Sequence, residues 1–309
     1  MNTNAKTHVS SLSPLRTLVA TSRPPFLLLT LSVMLMATAL AYYDNASFSI
    51  SLFILVMLGA LAAHASVNML NEAHDARSGL DDLTQRTPFS GGSGALQQNS
   101  ALINRVEAIG LGLLGVVIAL GLYFVWLTGW GLLPIGLIGV GVVLLYTPTI
   151  TRSPWLCLIA PGLGFGPLMV MGAYYVLTGS YSCIAFALSL IPFFLVNNLL
   201  LLNQYPDLEA DRQVGRRNLL IAFGEKTGVR VFSGFLAAAF IILAGLVALG
   251  CVPVWGLLGG LMLGLALPLV IKVNQHYQSI EQLQPALAWN VVINLTMPML
   301  IAVGLWIAS

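Results

Sequence analysis

Residues 64–81 read HASVNMLNEAHDARSGLD, and residues 197–217 read NNLLLLNQYPDLEADRQVGRR. Each stretch continues a long apolar segment and turns polar within a few helical turns. In the first, His64, Asn68, Asn71 and Asp75 step by four, three and four, so on a helix they share one face, with Asp81 just beyond. In the second, Asn203, Asp207 and Asp211 step by four and also share a face. Carboxylates are costly near hydrocarbon and usually functional there. Two such faces at the ends of apolar helices point to an all-α membrane bundle in which they meet, hold Mg2+ and grip a diphosphate.

Composition agrees with the bundle. Of 309 residues, 58% are hydrophobic and 8% charged, against about 25% charged in a soluble domain, which places the chain in a lipid bilayer. A net charge of +2 identifies no partner, and nucleic acid is not expected. Cys157, Cys183 and Cys251 form no CxxC pair and read as small core residues. Residues 1–22 are polar and lead into a full-length apolar span without an A-x-A-type cleavage site, so the first helix is expected to be retained. The division is a cytoplasmic segment, 1–22, and a single domain, 23–309.

A membrane helix needs ~20 mostly apolar residues. Nine stretches qualify, at roughly 24–43, 48–71, 104–127, 131–147, 155–178, 182–204, 228–250, 253–273 and 287–308, the fourth being the shortest. With nine spans, all 13 basic residues fall at the N-terminus or in the 2–3, 4–5, 6–7 and 8–9 connections. Basic residues mark the cytoplasmic side, so the N-terminus is expected in the cytoplasm and the C-terminus outside. Eight or ten spans would break that segregation. All acidic residues except Asp44 gather on the same side. The two long polar connections, 72–103 and 205–227, lie four spans apart and open with Asn71-x-x-x-Asp75 and Asn203-x-x-x-Asp207, a weak internal repeat of spans 1–4 against 5–8.

Mg2+ takes hard oxygen ligands, commonly one or two carboxylates plus substrate phosphate oxygens. Paired helix ends bearing acids and amides suit two such ions facing one diphosphate, and Asn71 and Asn203 add neutral carbonyl oxygens. Pro206 is expected to kink or end its helix and re-aim the acids after it. Arginines follow both motifs, and Arg23, Arg77, Arg152 and Arg216 are candidate phosphate contacts, since a guanidinium binds phosphate bidentately. The small-residue segment 87–95, TPFSGGSGA, serves either as a lid or as a plain linker. His64 is expected to hydrogen-bond a neighbouring helix. No His or Cys spacing supports zinc. Tyr146 is the aromatic residue best placed to face a cation near the acids.

These residues resemble the UbiA-type intramembrane aromatic prenyltransferases, nearest their 1,4-dihydroxy-2-naphthoate (menaquinone-pathway) branch. The resemblance runs from about Arg23 to the last span. It rests on NMLNEAHDARSGLD, NQYPDLEADRQVGRRNL, SRPPFL at the entry to span one, and YTPTITRSPWLCLIAPGLGFGPLMVMGAYYV across spans four and five. It implies a nine-helix bundle open to the cytoplasm, with a side portal to lipid, in the inner membrane. Asn71, Asp75, Asp207 and Asp211 would hold Mg2+, the three aspartates being the catalytic set. Asn68, Asp81, Asn203 and Tyr146 would support them. Arg23, Arg77, Arg152 and Arg216 would contact an isoprenyl diphosphate, whose chain passes to an aromatic acceptor. Glu72 stands where many members have Asp, and Arg216 where many have Lys. Hydroxybenzoate, homogentisate and other acceptors stay open.

Two other classes fit less well. A CDP-alcohol phosphotransferase needs an Asp-Gly-x-x-Ala-Arg frame, which Asp75-Ala76-Arg77 does not supply. An ion-coupled transporter needs charge near the bilayer midplane, where His64 is the deepest ionisable side chain.

Overall fold

A computed structural model describes residues 12–44, 49–84, 86–87 and 91–309. They form helices and connecting turns. A short helix α1 (Pro14–Thr21) leads into α2 (Pro24–Asp44), and α3 (Ile50–Ser78) carries the first motif. Two short helices, α4 (Leu80–Leu83) and α5 (Ala95–Gln98), precede α6 (Ile103–Thr128) and α7 (Leu133–Leu145). Next come α8 (Pro154–Leu163), a π-helical turn at Gly164–Leu168, and α9 (Met169–Thr178). The second motif lies on α10 (Cys183–Gln213), followed by α11 (Leu219–Phe223) and α12 (Glu225–Ala248). A 3-10 segment, Val254–Met262, runs into α13 (Leu263–His276), and α14 (Ile280–Ala308) is the last helix.

Eight of these helical runs are long and apolar enough to cross a membrane. The run Trp130–Leu145, a 3-10 turn plus α7, is shorter, about 24 Å at 1.5 Å per residue. Its two ends nevertheless touch opposite ends of the bundle. Gly131 accepts a 2.7 Å hydrogen bond from Tyr181, just before α10 begins. Thr147, just past α7, accepts one of 3.2 Å from Asn71 near the far end of α3. Large apolar side chains such as Ile241, Leu261, Leu267 and Ile271 stand exposed on the outer surface, as lipid-facing residues do.

The core forms around α2 and α10. Val33, Met36, Ala37 and Leu40 of α2, and Leu188, Ile191, Leu195 and Leu202 of α10, are fully buried. Helix α14 packs on α2, where Ser32 Oγ donates to the Leu295 carbonyl at 2.5 Å. Hydrogen bonds between helices supply specificity where apolar burial cannot. Asn198 Nδ2 donates to the Phe232 carbonyl (2.8 Å), and Asn290 Nδ2 to that of Asn198 (3.2 Å), tying α12 and α14 to α10. Cys157 is buried and Cys251 half-buried, whereas Cys183 opens α10 in an exposed position and is not a core residue. All three thiols are free.

Pro206 does not end its helix: α10 runs on through it to Gln213. A proline inside a membrane helix is tolerated where neighbours hold the chain. Here Tyr205 donates its hydroxyl to the Glu225 carbonyl at 2.8 Å, fastening that turn to α12. The real break lies in the helix opposite. Pro161, the π turn and Pro167 interrupt α8–α9. Gly162 sits so close to α10 that a Cβ there would lie 2.2 Å from the Phe193 carbonyl oxygen, and its amide donates to Asn197 Oδ1 at 2.6 Å.

Candidate active site

The two motifs converge through Arg216. Helix α10 ends in a turn at Gly215, whose φ of +78° suits a residue without a Cβ. That turn folds the chain back, so that the Arg216 amide donates to the Asp211 carbonyl at 2.9 Å. The Arg216 guanidinium then bridges the motifs, with Nη1 on Asp211 Oδ1 (3.2 Å) and Nη2 on Asp75 Oδ1. Asn218 donates from Nδ2 to Asp211 Oδ2 (2.9 Å) while its Oδ1 caps α11 at the Ile221 amide (3.0 Å). Asp75 and Asp211 are both buried, and a buried carboxylate is stable only when paired and hydrogen-bonded.

Above this cluster opens a cavity of about 560 Å³. Its polar rim holds Asn68, Asn71, Asp75 and Asp81 from the first motif, Asn203, Asp207 and Asp211 from the second, and Arg23, Tyr146 and Arg216. Most of its remaining walls are apolar, drawn largely from α6, α7 and the broken α8–α9 helix. His64 lines it too, paired with Thr30 across helices (Nδ1 to Oγ1, 2.8 Å), as its position in α3 suggests. Asp81 accepts a 2.9 Å hydrogen bond from Gln97. Burial pushes its carboxyl up to about 6; the Gln97 bond pulls the other way, and the charges of Asp75 and Glu72 add to the rise.

Arg77 and Arg152 do not line this cavity. Two residues past Asp75, Arg77 projects about 200° around the helix. There it makes hydrogen bonds of 2.8 and 2.6 Å to both oxygens of Glu107 and one of 2.9 Å to Asn104 on an exposed face. Arg152 is exposed at the end of a 3-10 turn whose other two residues, Ile150 and Thr151, are buried. Neither stands where the sequence placed a phosphate contact.

Glu72, by contrast, does more than its position suggested. It is buried, and its Oε1 accepts from Arg23 Nε (2.9 Å) and from the Ser93 amide (2.7 Å), its Oε2 from Ser93 Oγ (2.7 Å). It thus ties the entry to α2 to the glycine segment, whose Gly91 and Gly92 line the cavity. Arg23 is the non-glycine residue held at positive φ, +54°, among those described. Such strain persists where surrounding contacts over-determine it, and Glu72 supplies one. Asn218 was also unread, although an Asn directly before the apolar run LLIAF is a helix-start signal. Replacing Glu72 by alanine removes charge-assisted hydrogen bonds worth about 1.5–3 kcal/mol each. The Ser93 amide should then exchange with deuterium roughly ten- to a hundredfold faster. Unchanged protection would strip Glu72 of this role.

The UbiA prenyltransferase family model matches residues 30–306 of the chain. The chain belongs to the UbiA prenyltransferase family. It is a multi-pass membrane enzyme that transfers prenyl groups. Among its relatives in this family, the 1,4-dihydroxy-2-naphthoate octaprenyltransferase of Bacillus subtilis (strain 168) is 27% identical, over 76% of this chain and 74% of that one. The 2-carboxy-1,4-naphthoquinone phytyltransferase of Synechocystis sp. is 25% identical, over 93% and 92%. In fold, a UbiA homolog from Archaeoglobus fulgidus solved with GPP and Mg2+ superposes with a TM-score of 0.66 at 13% identity, over 93% of this chain and 99% of that one. A digeranylgeranylglyceryl phosphate synthase superposes at 0.68 and 16% identity, over 94% and 98%.

Proposed function

We propose that this UbiA-family enzyme moves a polyprenyl chain from an isoprenyl diphosphate to an aromatic acceptor, 1,4-dihydroxy-2-naphthoate foremost, in a Mg2+-dependent reaction of menaquinone synthesis. The observation that carries the reading is the two-natured cavity. Acids and arginine from both motifs form one end and hydrocarbon side chains the other, matching a substrate with a charged head and a long apolar tail. The naphthoate and naphthoquinone substrates named for its relatives support that choice of acceptor.

Asn71, Asp75, Asp207 and Asp211 are the residues proposed to hold Mg2+, with Asn68, Asp81 and Asn203 beside them. Among the described residues, no three His, Cys, Asp or Glu side chains converge as a ready-made metal cage. That suits Mg2+, which needs only one or two carboxylates plus substrate phosphate and water. The rim offers hard oxygens throughout, and Asn203 Oδ1 is a buried acceptor with no hydrogen-bond partner among the described residues. Mg2+ when bound neutralises charge gathering on the departing diphosphate.

The chain's own residues do the rest. Arg216 offers the diphosphate the same planar guanidinium it now gives Asp75 and Asp211, and Arg23, fixed by Glu72, offers a second. The apolar walls keep water from the allylic cation while Tyr146 presents a ring face to it. The new carbon–carbon bond forms from a ring carbon to the allylic carbon as the diphosphate oxygen leaves, and the ring carbon then loses its proton, or carbon dioxide. Nine spans, with a cytoplasmic N-terminus, an outer C-terminus and the rim at the cytoplasmic face of the inner membrane, account for the distribution of basic residues. The opposite-end contacts of Trp130–Leu145 support counting that run as the fourth span.

Membranes carrying the protein, incubated with geranylgeranyl diphosphate and a panel of dihydroxynaphthoate, hydroxybenzoate and homogentisate, should yield prenylated naphthoate by mass spectrometry. EDTA should stop turnover and added Mg2+ restore it. Product from another ring alone would replace the acceptor, and turnover indifferent to EDTA would remove the metal.

A further inference from the structure

One cavity residue has no part in holding either end of the prenyl diphosphate. Gln204 lines the cavity on α10, one step past Asn203 and three before Asp207. It therefore lies about 4.5 Å along the helix axis from the acid row, with Leu199 and Leu200 a turn further in among the apolar lining. Among the described residues, its Nε2 donates only to Cys157 Sγ, at 3.6 Å, and its Oε1 is buried without a hydrogen-bond partner. With Nε2 on the thiol, the end left open is the acceptor oxygen. Buried polar groups are nearly always satisfied, and an exception calls for an explanation.

We infer that Gln204 is a specificity-determining residue whose amide oxygen receives a ring hydroxyl of the aromatic acceptor. This rests on the prenyl-transfer reading and deepens it. The complement of an orphan acceptor is an O–H or N–H donor. An ionised diphosphate has no donor to give, and its hydrocarbon tail has none either. Mg2+ is a poor occupant here, because the amide's own hydrogen-bond partner is a thiol rather than a hard oxygen. A phenolic hydroxyl fits, and the position fits as well. A ring held at Gln204 lies between the acid rim, where the allylic carbon is released, and the apolar floor, with Tyr146 and Cys157 on the same cavity. A site built around a substrate hydroxyl discriminates strongly against analogues lacking it, because the protein group is then left unpaired.

The test compares the full-length protein with Gln204→Met, which keeps the side chain's length, and Gln204→Glu, which keeps an acceptor oxygen. Initial rates are measured in membranes at saturating geranylgeranyl diphosphate and Mg2+. The acceptors are 1,4-dihydroxy-2-naphthoate and its analogues lacking one or the other hydroxyl. In the methionine variant, KM for the dihydroxy acceptor should rise about tenfold or more, with KM for geranylgeranyl diphosphate unchanged. The wild-type penalty for one missing hydroxyl should shrink to near unity in that variant, and Gln204→Glu should recover part of the acceptor affinity. Equal loss on both substrates, or an undiminished penalty for both analogues, would overturn the inference. A wild-type protein that prenylates no ring at all would instead sink the prenyl-transfer reading, and this inference with it. A variant absent from the membrane is replaced by Gln204→Leu under the same criteria.

Discussion

Alanine at Asp75, or at Asp207, should reduce Mg2+-dependent prenyl transfer by about 10³-fold or more, which is ~4 kcal/mol of barrier. The proposed metal set draws on both motifs, so each motif has to fail on its own. The effect belongs in kcat/KM, because charge on the diphosphate grows as its bond to the allylic carbon breaks. Both variants should still reach the membrane. The core around α2 and α10 is apolar and tied by Asn198 and Asn290, with neither carboxylate taking part in those ties. Rate assays on equal amounts of membrane-inserted protein decide the matter. Near-normal turnover in either variant would sink the assignment of that motif.

Arg216→Ala is expected to act on stability as well as activity. In the protein alone this guanidinium is the cation between Asp75 and Asp211. Removing one partner of a buried pair typically costs about 3–5 kcal/mol, because the remaining charges lie uncompensated. Two carboxylates from different helices would then face each other, and the thermal midpoint in detergent should fall. Added Mg2+ should restore much of it by mass action, since a divalent cation replaces the lost charge between the same acids. Arg216→Lys should keep most of the stability and lose part of the rate, as ammonium is a point charge without the planar fork. A midpoint unmoved in the alanine variant, or insensitive to Mg2+, would show that Arg216 does not hold the two motifs together.

The face-sharing residues were legible in the sequence because helical period is a local property. Asn71, Asp75, Asn203, Asp207 and Asp211 line one cavity, as steps of three and four suggested. Arginines were harder to read. Basic residues near membrane helices have a topological reason to exist whether or not they bind anything, so Arg77 and Arg152 looked as plausible as Arg23 and Arg216. What separates them is long-range pairing, Arg77 with Glu107 and Arg216 with Asp75 across the fold, which no spacing rule carries. Glu72 was obscured for the same reason, because its partners Arg23 and Ser93 lie in other segments. Pro206 does not end its helix because a proline's effect depends on what braces the chain around it, here the Tyr205 bond to the α12 entry.

The seam between α2 and α14 joins the earliest long helix to the latest. Ribosomes deliver these two partners at opposite ends of synthesis, so Ser32 waits for the Leu295 carbonyl until almost the whole polypeptide has been threaded into lipid. Until then the innermost surface of α2 has no permanent neighbour on that side. The reaction chamber, lined by no residue beyond Asn218, is therefore buttressed behind α2 only late during biogenesis.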